Sequence, residues 1–131
     1  MSRSDPRAKA SVVVGVGDPD LRQIIGAYLV ERGWGVVAMT VSHELIARTV
    51  VGRFSAAVLE VRSFASPGLS ILERLRAQEP TFPVIVITSF ADRYITARAE
   101  RAGASRVLER PFDPATLDVA LSELLSPLPR D

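Results

Sequence analysis

Ser11-Val12-Val13-Val14-Gly15-Val16-Gly17-Asp18-Pro19-Asp20-Leu21-Arg22 sets an apolar, β-branched run directly before an Asp-Pro pair. No polar residue alternates with the valines, so the run suits a strand buried on both faces. Asp18 supplies a side-chain acceptor at a helix N-cap, and Pro19 fixes φ at the first helical position. Leu21, Ile24, Ile25, Tyr28 and Leu29 then repeat at the spacing of one helix face, which predicts that all five are buried. The stretch therefore reads as one strand-helix unit.

The same unit recurs along the chain. Gly35–Thr40, Ala56–Val61, Pro83–Thr88 and Ser105–Leu108 are further strand-like runs. Helices are predicted at about 42–51, 68–78 and 91–102, and Asp113-Pro114 opens a last one whose buried face carries Leu117, Leu121, Leu124 and Leu125. Strands apolar on both faces and separated by helices call for a parallel sheet covered on both sides, joined by right-handed crossovers. The fold class is α/β, a (βα)5 doubly wound five-stranded parallel sheet. Its flavodoxin-like strand order, 2-1-3-4-5, is taken from the fold type. One domain is expected over 11–126, flanked by a flexible N-terminal tail at 1–10 and a C-terminal tail at 127–131.

Composition narrows the function. The 131 residues are 47% hydrophobic and 24% charged, enough for one core in an ordinary globular chain. The longest apolar runs fall far short of the roughly 20 residues that cross a bilayer. With no membrane span and no signal-peptide pattern, a cytoplasmic protein is expected. The absence of cysteine removes disulfide, thiolate-zinc and cysteine-nucleophile chemistry. A net charge of +1, from groups scattered along the chain, gives nucleic-acid binding no support.

In an open doubly wound sheet, functional groups gather at the carboxyl ends of the strands. Those ends carry Val16, Gly17 and Asp18, then Glu60, then Thr88 and Ser89, then Arg110-Pro111. The same segments carry a resemblance. Asp18-Pro19-Asp20-Leu21-Arg22, Val58-Leu59-Glu60-Val61-Arg62, Gly68-Leu69 at eight and nine residues after Glu60, Pro83-Val84-Ile85-Val86-Ile87-Thr88, Gly103-Ala104-Ser105 and Arg110-Pro111-Phe112 occur in the order and spacing of the receiver domain of two-component response regulators, a CheY-like fold. Phe64 stands where that family has a proline. The resemblance covers about 12–125.

The resemblance implies a phosphorylation pocket, and the departures fall inside it. Receivers end the first strand in two acidic residues that hold magnesium together with a phosphoacceptor aspartate; here Val16 and Gly17 stand in their places and Glu60 in the aspartate's. Magnesium takes oxygen ligands in near-octahedral geometry, so the metal site is expected to be lost and no cofactor to be bound. Asp18, one position later, offers a single carboxylate. Glu60 resembles a built-in phosphoaspartate mimic. Arg110 replaces the family's lysine and is expected to pair with Glu60 through its planar fork, with Asp18 or solvent as its other options. Thr88 is expected to donate to Glu60 or to cap its own loop. Val107 takes the place of the aromatic switch residue.

Arg93, Arg98, Arg101 and Arg106 form a basic face that, opposite Asp118 and Glu123, allows either a self-complementary homodimer contact or a merely solvated surface. His43 reads as a bystander on a surface helix. Gly15-Val16-Gly17 resembles a phosphate-binding turn but has Asp20 where the third glycine of a dinucleotide fingerprint belongs, so no nucleotide or flavin site is expected. These residues suggest a pseudo-receiver, a non-enzymatic signalling domain that works by contact with a protein such as a histidine kinase or another signalling protein. The alternatives are a phosphoacceptor receiver with a rearranged acidic pocket, and a receiver domain excised from a larger kinase or transcription regulator.

Overall fold

Three consecutive valines with no exposed surface, Val12, Val13 and Val14, form the middle of the central strand, β1 (Ser11–Gly15). The computed structural model describes residues 10–41, 44–45, 54–63, 65–88 and 93–125. Strands β2 (Gly35–Met39), β3 (Ala56–Val61), β4 (Val84–Thr88) and β5 (Arg106–Glu109) complete a parallel sheet in the order β2-β1-β3-β4-β5. The described helices are α1 (Pro19–Glu31), α2 (Pro67–Gln78), α3 (Arg93–Arg101) and α4 (Pro114–Leu125). Fold class and strand order are those expected.

Strand alternation divides the core into two layers. Val12, Val14, Ala56, Val58, Ile85 and Ile87 pack with Ile25 and Leu29 of α1 and with Leu117 and Leu121 of α4. Val13, Ala57, Leu59, Val84 and Val86 pack with Leu72 and Leu75 of α2 and with Ile95 and Ala99 of α3. Each fully buried aliphatic side chain contributes roughly 1.5–3 kcal/mol. With both faces of the central strands covered, the carboxyl ends of those strands are where the sheet leaves room for a site.

The caps behave as the sequence predicts. Asp18 Oδ1 accepts from the Asp20 and Leu21 amides at 3.0 and 3.3 Å, and Asp113 Oδ1 from the Ala115 amide at 2.9 Å. The predicted face of α1 is too wide. Ile25 and Leu29 are buried and Leu21 and Tyr28 half-buried, but Ile24 is 55% exposed. Its neighbour Ile25 occupies the centre of the stripe facing the sheet, which leaves Ile24 at the margin. In the helix predicted at 42–51, Glu44 and Leu45 are helical and the rest lies outside the described residues, as do His43, Phe64, Ser89 and both predicted tails apart from Ala10.

Two glycines answer to geometry. A Cβ on Gly68 would collide with the backbone carbonyl of Glu60, so only glycine lets α2 start hard against the end of β3. Gly103 has φ +110, and its carbonyl accepts from Arg76 Nε and Nη2 at 3.1 and 2.7 Å. Burial lowers the Arg76 pKa, and the carbonyls of Glu79 and Pro80 accept its Nη1.

Candidate functional site

The chain leaves β1 through Val16, which is wholly buried, and turns outward at Gly17. Asp18 then starts α1, and Arg22, one turn in, donates from Nη1 to the Val16 carbonyl at 2.7 Å. Across from this turn, β3 delivers Glu60, whose side chain is only 1% exposed. Glu60 Oε1 accepts from the Gly17 amide at 2.8 Å and, more weakly, from the Asp18 amide at 3.4 Å. These charge-assisted bonds tie the end of β3 to the turn after β1. Glu60 Oε2 has no hydrogen-bond partner among the described residues. Its nearest cation is Arg62, with Nε at 3.7 Å, outside hydrogen-bond range.

Arg110 does not pair with Glu60. Its Nη1 lies 3.5 Å from Asp18 Oδ2, because Asp18, at the rim, intercepts the guanidinium while Glu60 is turned toward the backbone amides. The Asp18 carboxyl is held below its usual pKa by the Leu21 amide first, with help from the Asp20 amide and Arg110, against the opposing effect of desolvation. The Arg110-Pro111 peptide is cis. Thr88 does not donate to Glu60 either. Glu60 stands opposite Ile87 in the β3-β4 ladder, so Thr88 is one position further on and, by alternation, on the other side of it. The Thr88 hydroxyl is buried with no hydrogen-bond partner among the described residues. Val107 is half-buried against the layer of Val84 and Val86.

The predicted charged face is divided. Asp118 is not on it: this residue is 7% exposed and faces α1, where Oδ1 accepts from Trp34 Nε1 at 2.7 Å and Oδ2 lies 3.6 Å from Arg32 Nε. A helix that buries Leu117 and Leu121 turns position 118 inward beside them. A buried indole N–H requires an acceptor, so Trp34 signalled that some internal acceptor exists, but only the packing of α4 on α1 identifies it as Asp118. Arg98 pairs with Glu73 at 2.8 Å and Arg106 with Glu123 at 3.1 Å, both within the chain. Arg93 and Arg101 remain exposed on α3.

A doubly wound sheet with an acidic side chain held at its carboxyl edge is the arrangement of receiver domains, among other proteins of this fold. A family model, the response regulator receiver domain, matches residues 16–122, and the chain belongs to that family. The transcriptional regulatory protein ZraR of Salmonella typhimurium is 30% identical over 122 residues, 92% of this chain and 27% of that protein. FixJ of Bradyrhizobium diazoefficiens, also a transcriptional regulatory protein, is 27% identical over 105 residues, 80% of this chain and 51% of that protein. The chain thus spans about a quarter and about half of the length of these two relatives. The receiver domain of the Francisella response regulator 1452 superposes with a TM-score of 0.80 at 21% identity, over 88% of this chain and 96% of that one. Full-length FixJ from B. japonicum also gives 0.80, at 24% identity, over 90% and 58%. The domain is a receiver of two-component signalling. No helix among the described residues is long and apolar enough to cross a membrane.

The donor set at the strand ends does not suit the magnesium that active receivers hold. Val16 is a buried hydrocarbon side chain whose carbonyl already accepts from Arg22, and Gly17 has no side-chain oxygen to offer while its amide N–H donates to Glu60. Asp18 is committed to its helix cap and to Arg110. Among the described residues no three acidic, histidine or cysteine side chains are grouped to hold a metal ion.

Proposed function

We propose that this receiver domain signals by protein contact, without phosphoryl transfer, its pocket held in one state by Glu60. One observation carries the reading: the Glu60 carboxylate, at the phosphoacceptor position, is bound through Oε1 to the Gly17 amide, in the turn where an active receiver has its metal-binding acids. A phosphoryl group arriving there meets a carboxylate that already uses the local donors, and no cation offsets the repulsion between the two anions. Phosphoryl transfer relies on that neutralisation. The domain has no magnesium requirement on this reading. Its partner is a histidine kinase or another signalling protein, met through a face that includes Arg93 and Arg101, where a homodimer contact would also form. With Asp118 internal and Glu123 paired to Arg106, that contact does not rest on acids of α4.

The test is incubation with magnesium and acetyl phosphate, followed by intact mass and by amide shifts of Gly17, Asp18 and Glu60. Unchanged mass and unshifted amides are expected. A labile phosphoryl adduct overturns the reading.

A further inference from the structure

The pocket beside Glu60 has a volume of about 180 Å³. Pockets that enclose small metabolites run from roughly 300 to 1,000 Å³, so this one takes a side-chain tip rather than a whole small molecule. Its lining includes Glu60, Arg62, Ser66, Thr40, Val41 and Pro67. The Glu60 side chain is 1% exposed, and its Oε2 has no hydrogen-bond partner among the described residues. A buried carboxylate oxygen without a donor is an acceptor left open, and it attracts a group that brings both N–H donors and positive charge. It repels anions, the reverse of what a phosphorylation pocket accepts.

Arg62 is the nearest cation but does not close the site. Its Nε stops 3.7 Å from Oε2 and its side chain is 60% exposed, so the contact is a water-screened pair of small worth. Ser66 is spent on Arg62 N and the Ser63 carbonyl. Val41 and Pro67 offer apolar surface along which the hydrocarbon stem of a long basic side chain lies while its head reaches inward.

We propose that this pocket receives an arginine or lysine side chain of a protein partner, whose N–H groups donate to Glu60 Oε2 and displace Arg62 from the mouth. The inference rests on reading the domain as a phosphorylation-independent binding module, and it adds the chemistry that the partner must present.

Amide-resolved NMR titration of the whole chain tests it, with methylguanidinium and methylammonium as probes at constant ionic strength and tetramethylammonium as a cation without N–H donors. Saturable shifts at Gly17, Asp18 and Ser66 are expected with either of the first two, and the stronger names the preferred side chain. Arg62→Ala should tighten binding by roughly two- to fivefold, the worth of an exposed ion pair. Glu60→Gln, which keeps an acceptor for the Gly17 amide, should abolish saturation. The inference is overturned if tetramethylammonium produces the same shifts, if Glu60→Gln binds like the native protein, or if neither native protein nor Arg62→Ala saturates. Acetyl phosphate treatment of the same sample separates the failures: an adduct refutes the functional reading, whereas a silent titration without an adduct refutes this inference alone.

Discussion

Replacing Asp118 with alanine should destabilise the domain by about 2–3 kcal/mol, because a hydrogen bond to a charged group is worth roughly 1.5–3 kcal/mol and a buried indole N–H loses this acceptor. Both partners are inside: Trp34 is 5% and Asp118 7% exposed, and they meet at 2.7 Å. Arg32 adds little, about 0–1 kcal/mol, since its side chain is 55% exposed and its Nε lies 3.6 Å away. Asp118→Asn keeps an acceptor for the indole and should cost only about 1 kcal/mol, the ordinary net worth of a hydrogen bond. Urea unfolding followed by far-UV circular dichroism gives the free energies. Trp34, the single tryptophan, reports the local environment by fluorescence. A double-mutant cycle with Trp34→Phe should return a coupling of at least about 1 kcal/mol, as expected for contacting residues. A loss below about 0.5 kcal/mol for Asp118→Ala, the level of an ordinary surface change, would refute the assignment of Asp118 as an internal latch between α4 and the α1-β2 turn.

Two further outcomes follow from the strand ends. Glu60→Leu removes the acceptor of the Gly17 amide and should cost about 1–3 kcal/mol, whereas Glu60→Gln should stay within about 1 kcal/mol of the native protein; urea unfolding measures both, and hydrogen exchange at Gly17 should speed up only in the leucine variant. Asp18 has a folded-state pKa below its unfolded value of about 3.9, so its stabilisation is fully present above that pH and is lost as pH falls through the folded value. Thermal melts from neutral pH into acid should show the native advantage over Asp18→Asn shrinking below about pH 4, and an advantage independent of pH would contradict the lowered pKa.

The fold was legible in the sequence because its strongest signals are local and repeated. Runs such as Val12–Val14 and Val84–Ile87 bury both faces, and Asp-Pro pairs mark the two helix starts that matter most. Gly68 was legible as a spacing, but its cause, contact with the Glu60 carbonyl, is a property of packing. The polar partners were less legible, since a charge constrains only what lies within a few ångströms. Nothing in the chain order says that Asp18 stands between Arg110 and Glu60, or that Glu60 turns to backbone amides, which have no signature in a sequence. Thr88 was misjudged by a single step of strand register, enough to change its side of the ladder. Asp118 was misjudged as an exposed acid when Trp34 required an internal acceptor.

The altered positions at the strand ends act as a group. An acid at 17 alone would put a Cβ 3.4 Å from Glu60 Oε1 and set a second carboxylate against the first, with no cation between them. An acid at 16 alone would replace a side chain with no exposed surface that packs in the layer of Val14 and Ile87. Aspartate at 60 alone would draw the carboxylate back by one methylene from the Gly17 amide and leave that donor under-satisfied. Each single step toward a metal-binding pocket therefore costs stability before any magnesium is gained. The combination of Val16, Gly17 and Glu60 is self-consistent for a pocket whose buried carboxylate is held by backbone amides, and that consistency supports the proposed reading of it as a site with its own chemistry.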